Sequence, residues 1–397
     1  MTFGRPGLGE WPLDPAITYL NHGTVGVTPL RVLAAQREIR EAIERQPARF
    51  LLRELTAATG SFTARGLARP RLREAASAVA EFLGARGDDL VFVDNATTGA
   101  GAVLRSFPFE PGDEILLSDL AYGGIVRAAT YAAREKGASI RMVGIPYPFS
   151  TEGIVRAFED GVSPATRLAV VDHVSAESAL VLPLAEIARR LRGKGVAILA
   201  DGAHAPGAIP VGIEDLGVDW YTANLHKWAW APRSSGILWV RPDRQSTVRP
   251  LVESWGLDLG FNAEFDWPGT RDPSPYLAAP AAIALLQEWG LETIRAYNHQ
   301  LAWSGAKHLA DRWQTEWHID ESLIGTMATV GVPHALGTSS EQAQVLRDRL
   351  LYEDRIEVQV HSWRNQICVR ISAQIYNDME DVERLAAAVV RAGQRTS

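Results

Sequence analysis

Lys227 is the residue whose surroundings first point to chemistry. The chain has four lysines, Lys136, Lys194, Lys227 and Lys307. Three stand in polar, helix-like surroundings. Lys227 instead sits between His226 and Trp228 in the stretch Asp219–Pro232, which is largely apolar and aromatic and offers the lysine no adjacent carboxylate. A lysine kept out of water loses proton affinity and becomes an amine nucleophile near neutral pH, the setting in which lysines form Schiff bases with carbonyl compounds. The alternative is an amphipathic lysine snorkelling from an apolar surface.

Three further segments carry candidate groups. Asp94-Asn-Ala-Thr-Thr-Gly99 offers Thr97, Thr98 and backbone N–H groups at a helix start, which suits a phosphate; ordinary helix capping by either threonine is the alternative. Asp201-Gly-Ala-His-Ala-Pro-Gly207 follows an apolar run. An acid ending a buried strand needs a cationic or protonated partner, and a pyridinium nitrogen is one; a structural ion pair or an Asp-Gly turn are the others. Arg370, in Val369-Arg-Ile-Ser372, stands among apolar neighbours and has the fork geometry for a carboxylate, or for a structural ion pair.

The elements that must position these groups alternate. Strands are expected at 90–94, 114–119, 139–145, 167–174, 196–202, 220–222 and 236–240, with helices at 98–107, 122–136, 152–160 and 184–192 between them. Apolar strands alternating with helices predict an α/β chain with a mainly parallel sheet covered on both faces, and ligands then bind beyond the carboxyl ends of the strands. Two helices precede this region, over 29–58 with a break near Pro47 and over 70–83. Composition shifts to Pro, Gly, Trp and Asp across 242–275. Beyond it, helices at 277–289, 291–313, 340–353 and 378–392 mix with strands at 356–360 and 366–371. The expected division is an N-terminal arm, 1–28, joining the small domain, a large domain, 29–265, and a small α+β domain, 266–397.

The 397 residues include 46% apolar and 22% charged residues, as for a globular chain with a sizeable core. A formal charge of −7 with scattered arginines gives no reason to expect nucleic acid. Cys368 is the single cysteine, which rules out an intramolecular disulfide and a multi-thiolate metal site. No apolar run is long enough for a membrane span and the N-terminus lacks a signal-peptide core, so the expectation is a cytoplasmic protein.

Taken in order, phosphate loop, Tyr122, strand-end acid, lysine and arginine, these features resemble the fold-type I pyridoxal-phosphate enzymes of the class V aminotransferase family, and within it the isopenicillin N epimerase-like group. The resemblance runs nearly end to end, through Leu20-Asn-His-Gly23, Phe50-Leu-Leu-Arg-Glu54, Leu116-Leu-Ser-Asp119 with Tyr122, Asp201–Gly207, His226-Lys-Trp228, Gly269-Thr-Arg-Asp272 and Arg370-Ile-Ser372. It implies a seven-stranded-type sheet in the large domain and pyridoxal 5′-phosphate as cofactor. Lys227 would carry the Schiff base and transfer the proton, and Tyr122 would stack on the ring with a part in catalysis. Asp201 would pair with the pyridine nitrogen and His204 with the phenolic oxygen. Thr97, Thr98, Asn224 and His226 would hold the phosphate. Arg370 would clamp the substrate carboxylate, with Asn21 and His22 also at the substrate. Thr270 would reach the phosphate from the partner subunit of a homodimer. For His226, a satisfied core histidine is the alternative.

The segment Val174-Ser-Ala-Glu-Ser-Ala179 departs from the group's pattern, with Ala176 and Ala179 where a serine and a glycine are expected and a charge at Glu177. Cys368 should share a strand face with Arg370, which argues for a buried small hydrophobe rather than the mobile thiol of a desulfurase. The expected reaction takes an amino acid or conjugate through an external aldimine and a Cα carbanion. It leans to β-elimination of the C–S lyase type, with epimerisation next and decarboxylation or transamination behind. Outside this chemistry stand a metallohydrolase using Asp201, His204 and His226, which leaves Lys227 without a role, and an inert binding protein.

Overall fold

The computed structural model describes residues 2–59 and 66–394. Its strands are β1 (Thr18–Tyr19), β2 (Leu90–Val93), β3 (Glu114–Ser118), β4 (Ser139–Val143), β5 (Thr166–Asp172), β6 (Ala197–Asp201), β7 (Trp220–Asn224), β8 (Gly236–Val240), β9 (Met327–Gly331), β10 (Ile356–Glu357), β11 (Gln359–Trp363) and β12 (Gln366–Ser372). Seven of them form one sheet in the order β2-β8-β7-β6-β5-β3-β4. All neighbours are parallel except β8, which is antiparallel to both β7 and β2. The mainly parallel α/β sheet expected from the sequence is therefore present.

Successive residues of these strands go to opposite cores. Phe92, Leu116, Ile198 and Tyr221 pack on one face, and Val91, Leu117, Leu199 and Trp220 on the other. A side chain of this size buried on either face contributes about 1.5–3 kcal/mol, which is why the central strands are apolar throughout. Strand β4, at the sheet edge, carries exposed residues at Ser139, Arg141 and Met142. Polar and charged side chains there blunt pairing with other chains.

The helix Ala96–Ser106 follows β2 and starts at Asn95, whose Oδ1 accepts from Thr98 N–H at 2.9 Å. It lies hard against the sheet: a Cβ on Gly99 would stand 2.2 Å from Thr222 Oγ1. The helix Gly123–Lys136 ends at Gly137 in the left-handed region, φ 71°, where glycine is favoured.

The C-terminal part holds a three-stranded antiparallel sheet, β11-β12-β9. Ile367, Val369 and Ile371 of β12 face the helices Leu291–Trp313 and Met379–Gln394 in a separate core. The amino-terminal segment touches this part at several points, where β1 pairs in parallel with β10, Asn21 bridges to Ser372, and Arg5 meets Asp381 at 2.8 Å, while Trp11 and Val27 pack in the core of the large sheet. Three local details go beyond the sequence expectations. Strand β9 has no local sequence signal, because Met-Ala-Thr-Val-Gly is short and lacks flanking alternation. The segment 356–360 divides into β10 and the start of β11. The helix Ser274–Glu288 places Tyr276, Ala279, Ile283 and Leu286 in the core of the large sheet, with Gln36 donating to Ser274 Oγ at 3.0 Å.

Candidate active site

Strands β5, β6 and β7 end side by side in Asp172, Asp201 and Asn224. Beyond them lies a cavity of about 430 Å³. Eight residues expected at a site meet in its wall: Thr97, Thr98, Tyr122, Asp201, His204, Asn224, His226 and Lys227. Their sequence separations span more than a hundred residues, and the sheet order alone brings them together.

The Lys227 amine stands 2.9 Å from His204 Nε2. Burial, helped by the positive charge of Arg370 and opposed by Asp201, lowers its pKa from 10.5 to about 7. Burial also keeps His204 neutral well below the usual histidine range, and its Nδ1 has no partner among the described residues. The Lys227 backbone is braced from the amino-terminal segment. His22 Nε2 lies 3.1 Å from the Lys227 carbonyl and its Nδ1 lies 2.9 Å from Tyr376 Oη. Gly26, at φ 66°, lets this segment close in, since a Cβ there would fall 1.7 Å from the His226 carbonyl oxygen.

Asp201 and Asp172 are register partners on neighbouring parallel strands and are both buried. Asp201 accepts from Ala203 N–H at 2.9 Å, and Asp172 accepts the backbone N–H of Tyr122, the residue before helix Gly123–Lys136. Burial raises the pKa of both carboxyls, and for Asp172 the neighbouring Asp201 raises it further. Such a pair invites a cation.

At the other end of the cavity, His226 Nδ1 lies 3.1 Å from the Ser235 carbonyl, leaving Nε2 free, and burial lowers its pKa to about 4. Asn224 Oδ1 accepts from Ala96 N–H at 2.8 Å. It therefore ties β7 to the helix start and keeps only its amide N–H groups for a ligand. Tyr122 is 46% exposed and forms an open wall.

Four expected residues lie off this wall. Arg370 is buried behind it, donating to the Ala176 carbonyl and to Thr24 Oγ1 at 2.8 Å while its Nε has no partner. Burial lowers its pKa to about 10, with Glu177 pulling the other way. Asn21 donates to Glu357 at 2.7 Å and accepts from Thr24, and His22 is fully buried with both nitrogens engaged. Both therefore support Thr24 and Lys227 rather than line the cavity, because the chain turns inward at residue 20 to pair with the C-terminal part. Thr270 is exposed, on the segment between Trp267 and the helix at Ser274. Conversely, Asp172, Thr24 and Asn95, outside the expected set, also line the cavity. Asp172 carried the same signal as Asp201, an acid closing an apolar strand.

No group of three His, Cys, Asp or Glu among the described residues could hold a metal ion. The triad Asp201, His204 and His226 is taken up otherwise, by Lys227 at His204 and by Ser235 at His226.

The profile of the aminotransferase class-V family matches residues 39–385. The chain belongs to the aminotransferase class-V family. It is thus one of a family of pyridoxal-phosphate enzymes. Among the relatives is a protein of Arabidopsis thaliana named "Probable L-cysteine desulfhydrase, chloroplastic", 31% identical over 95% of this chain and 83% of its own length. The isopenicillin N epimerase of Streptomyces clavuligerus is 30% identical over 96% of both chains. Among solved structures, the cystine C–S lyase C-DES in complex with cysteine persulfide superposes with a TM-score of 0.78 at 24% identity, covering 97% of this chain and 98% of the other. This likeness shows the fold. No helix among the described residues is long and apolar enough to cross a membrane.

The residues fit the cofactor of this family. The cavity joins a buried amine of near-neutral pKa, an unpaired buried imidazole nitrogen, a buried carboxylate pair that invites a cation, and a helix amino terminus that suits a phosphate.

Proposed function

We propose that this protein is a pyridoxal-phosphate-dependent C–S lyase, acting on cysteine or a cysteine conjugate as a cytoplasmic homodimer. The observation that carries the reading is the Lys227 amine, held 2.9 Å from His204 with a pKa of about 7 and facing a carboxylate at a strand end. The cofactor, when bound, supplies a carbonyl for a Schiff base with Lys227 or the substrate amine and an electron sink for a Cα carbanion.

The chain's own groups do the rest. At neutral pH a large share of Lys227 is free amine, which serves as nucleophile and then as the base that takes the Cα proton. His204, kept neutral, orients Nζ and leaves Nδ1–H or its lone pair for a ring substituent. Asp201 holds the pyridine nitrogen. Thr97, Thr98, His226 Nε2 and the start of helix Ala96–Ser106 hold the phosphate, braced by Asn224, and Tyr122 covers the ring face. Arg370 takes the substrate carboxylate through its free Nε. Asn21 and His22 act one step back, on Thr24 and the Lys227 carbonyl.

Elimination is favoured over epimerisation because it needs one proton-transferring base, whereas epimerisation needs a second group on the opposite face. The products are a thiol, ammonia and a 2-oxo acid, formed with uptake of one water. Thr270 supports the dimer: it is exposed and off its own cavity, close in sequence to Val252, Trp255, Leu257 and Leu259, apolar side chains 50–77% exposed. An apolar strip of that kind marks a subunit contact.

The test is an absorption spectrum of the protein loaded with pyridoxal phosphate, before and after borohydride, beside Lys227→Ala. A visible band that borohydride removes, absent from the variant, supports the reading, and release of thiol and ammonia from L-cysteine then separates elimination from epimerisation. A protein that takes up no cofactor sinks it.

A further inference from the structure

The Arg370 guanidinium lies behind the wall of the Lys227 cavity, and two residues of that wall hold it. One terminal nitrogen donates to the Ala176 carbonyl and the other to Thr24 Oγ1 at 2.8 Å, and both Ala176 and Thr24 line the cavity. The forked end of the guanidinium is thus turned to the cavity, between the loop after β5 and the short helix His22–Val25. Its charge reaches Lys227 and His204 and lowers the proton affinity of both. Arginine has more N–H donors than these two contacts use, and no acceptor. Nε, buried, has no partner among the described residues. Arg370 therefore keeps donors for a carboxylate, in a plane that its two anchors fix.

Ala176 contributes its backbone, whereas Thr24 contributes a hydroxyl whose direction is set elsewhere. Asn21 Nδ2 donates to Glu357 at 2.7 Å, which turns Asn21 Oδ1 to Thr24. The single hydroxyl proton of Thr24 goes to that oxygen, so a lone pair of Oγ1 faces Arg370. Glu357 accepts at one end of this relay and Arg370 donates at the other. The segment that carries Thr24 is tied to the strand that carries Arg370. Ser372 N–H donates to the Leu20 carbonyl at 2.8 Å, and Asn21 bridges to Ser372. Strand pairing thus places Thr24 against Arg370, and its own side chain is exposed on the wall.

We propose that Thr24 is the positioning residue for Arg370: its hydroxyl aims the guanidinium at the α-carboxylate of the substrate and so sets a preference for amino acids over amines. The proposal rests on the reading that places the substrate carboxylate at Arg370, and it names the residue that makes this contact selective. With valine in place of Thr24 the guanidinium loses one of its two anchors, while the shape of the wall is kept. The freed guanidinium then samples orientations in which its remaining donors miss the carboxylate. Affinity is lost for the acid and kept for the amine, because Lys227, His204 and Asp201 are untouched.

The experiment uses a matched pair of ligands, L-alanine and ethylamine, which differ by one carboxylate and carry no leaving group. Protein loaded with pyridoxal phosphate is titrated with each, read by the shift of its visible absorption band. The ratio of the two dissociation constants isolates the carboxylate contribution. Thr24→Val should reduce the preference for alanine about tenfold, the scale of one hydrogen bond to a charged group, with ethylamine and cofactor affinities within about twofold of wild type. Thr24→Ser, which keeps the hydroxyl, should restore the preference. On L-cysteine, Thr24→Val should raise KM about tenfold and leave kcat within about twofold. An unchanged or increased preference in Thr24→Val, equal losses for the two ligands, or failure of Thr24→Ser to restore it overturns the proposal. Arg370→Lys, which keeps the charge and loses the fork, tests the underlying placement. If the preference survives in Arg370→Lys, that placement falls and the role of Thr24 with it. If it collapses there and stays in Thr24→Val, only the role of Thr24 falls. A preference lost in Thr24→Val, in an enzyme that releases no sulfide from L-cysteine, overturns the lyase reading and supports the role of Thr24. Protein that takes up no cofactor overturns both.

Discussion

Asp172→Asn offers the most exacting test of how the site is built, because it should move two observables in opposite directions. Asp172 and Asp201 are register partners on adjacent parallel strands, which lie about 4.8 Å apart. With both carboxylates ionised about 5 Å apart, an effective dielectric near 20 gives roughly 3 kcal/mol of repulsion. Among the titratable groups beside the pair are Lys227, which acts on Asp201, and Tyr221 and His173, which burial holds neutral above about pH 4. Folding raises both carboxyl pKa values, so the native protein keeps protons that the unfolded chain has shed. Stability of the cofactor-free protein must then fall as pH rises from about 4 through the raised native values. The substituted amide removes one of the two ionisable groups, yet its carbonyl oxygen still accepts the Tyr122 N–H. The cofactor-free variant should therefore melt higher than wild type at pH 8, with the gap closing towards pH 4. Its affinity for pyridoxal phosphate should drop by about ten- to a hundredfold, since a pyridinium at Asp201 loses the second negative charge. Differential scanning calorimetry from pH 4 to 9 and a cofactor titration measure the two quantities. A variant less stable at every pH with unchanged cofactor affinity would refute the electrostatic reasoning and leave Asp172 only as the cap of the Tyr122 helix.

Lys227→Met should likewise stabilise the cofactor-free protein. The native pKa of about 7 lies below the unfolded value, so wild type gains stability as pH rises from about 7 to 10.5, and the advantage of the variant should be largest at or below pH 7 and shrink towards pH 10.5 in melting curves. Gly26→Ala combines a left-handed φ with a Cβ 1.7 Å from the His226 carbonyl oxygen, and neither can be relieved by a side-chain rotation. It should cost more than about 1 kcal/mol in urea unfolding and weaken cofactor uptake with the catalytic groups intact; unchanged values in both measurements would show that this approach does not set the Lys227 backbone.

The sequence by itself determined the parts whose signals are short-range. Apolar runs of strand length alternating with helix patterns specify the parallel sheet, since burial on both faces demands continuous apolar strands. An acid closing such a run, as Asp201 does, declares itself within half a dozen residues. So does a lysine embedded among aromatic residues, and so does an Asn-Ala-Thr-Thr helix start. What only the tertiary structure decided depends on pairings between distant segments. The Asp172–Asp201 pair exists because β5 and β6 adopt one register, and a slip of one residue would turn one carboxylate to the other face. His22 braces Lys227 across 205 residues and Asn224 is committed to Ala96 across 128, so their donors and acceptors were already assigned in ways no local pattern records. Arg370 is committed to the Ala176 carbonyl across 194 residues, behind the cavity wall. Local sequence sets which residues are capable of chemistry, because propensity and burial pattern act over a few residues. Which of them meet, and which atoms remain free to act, is set by strand register and packing between segments, where each hydrogen bond already made removes a candidate from the site.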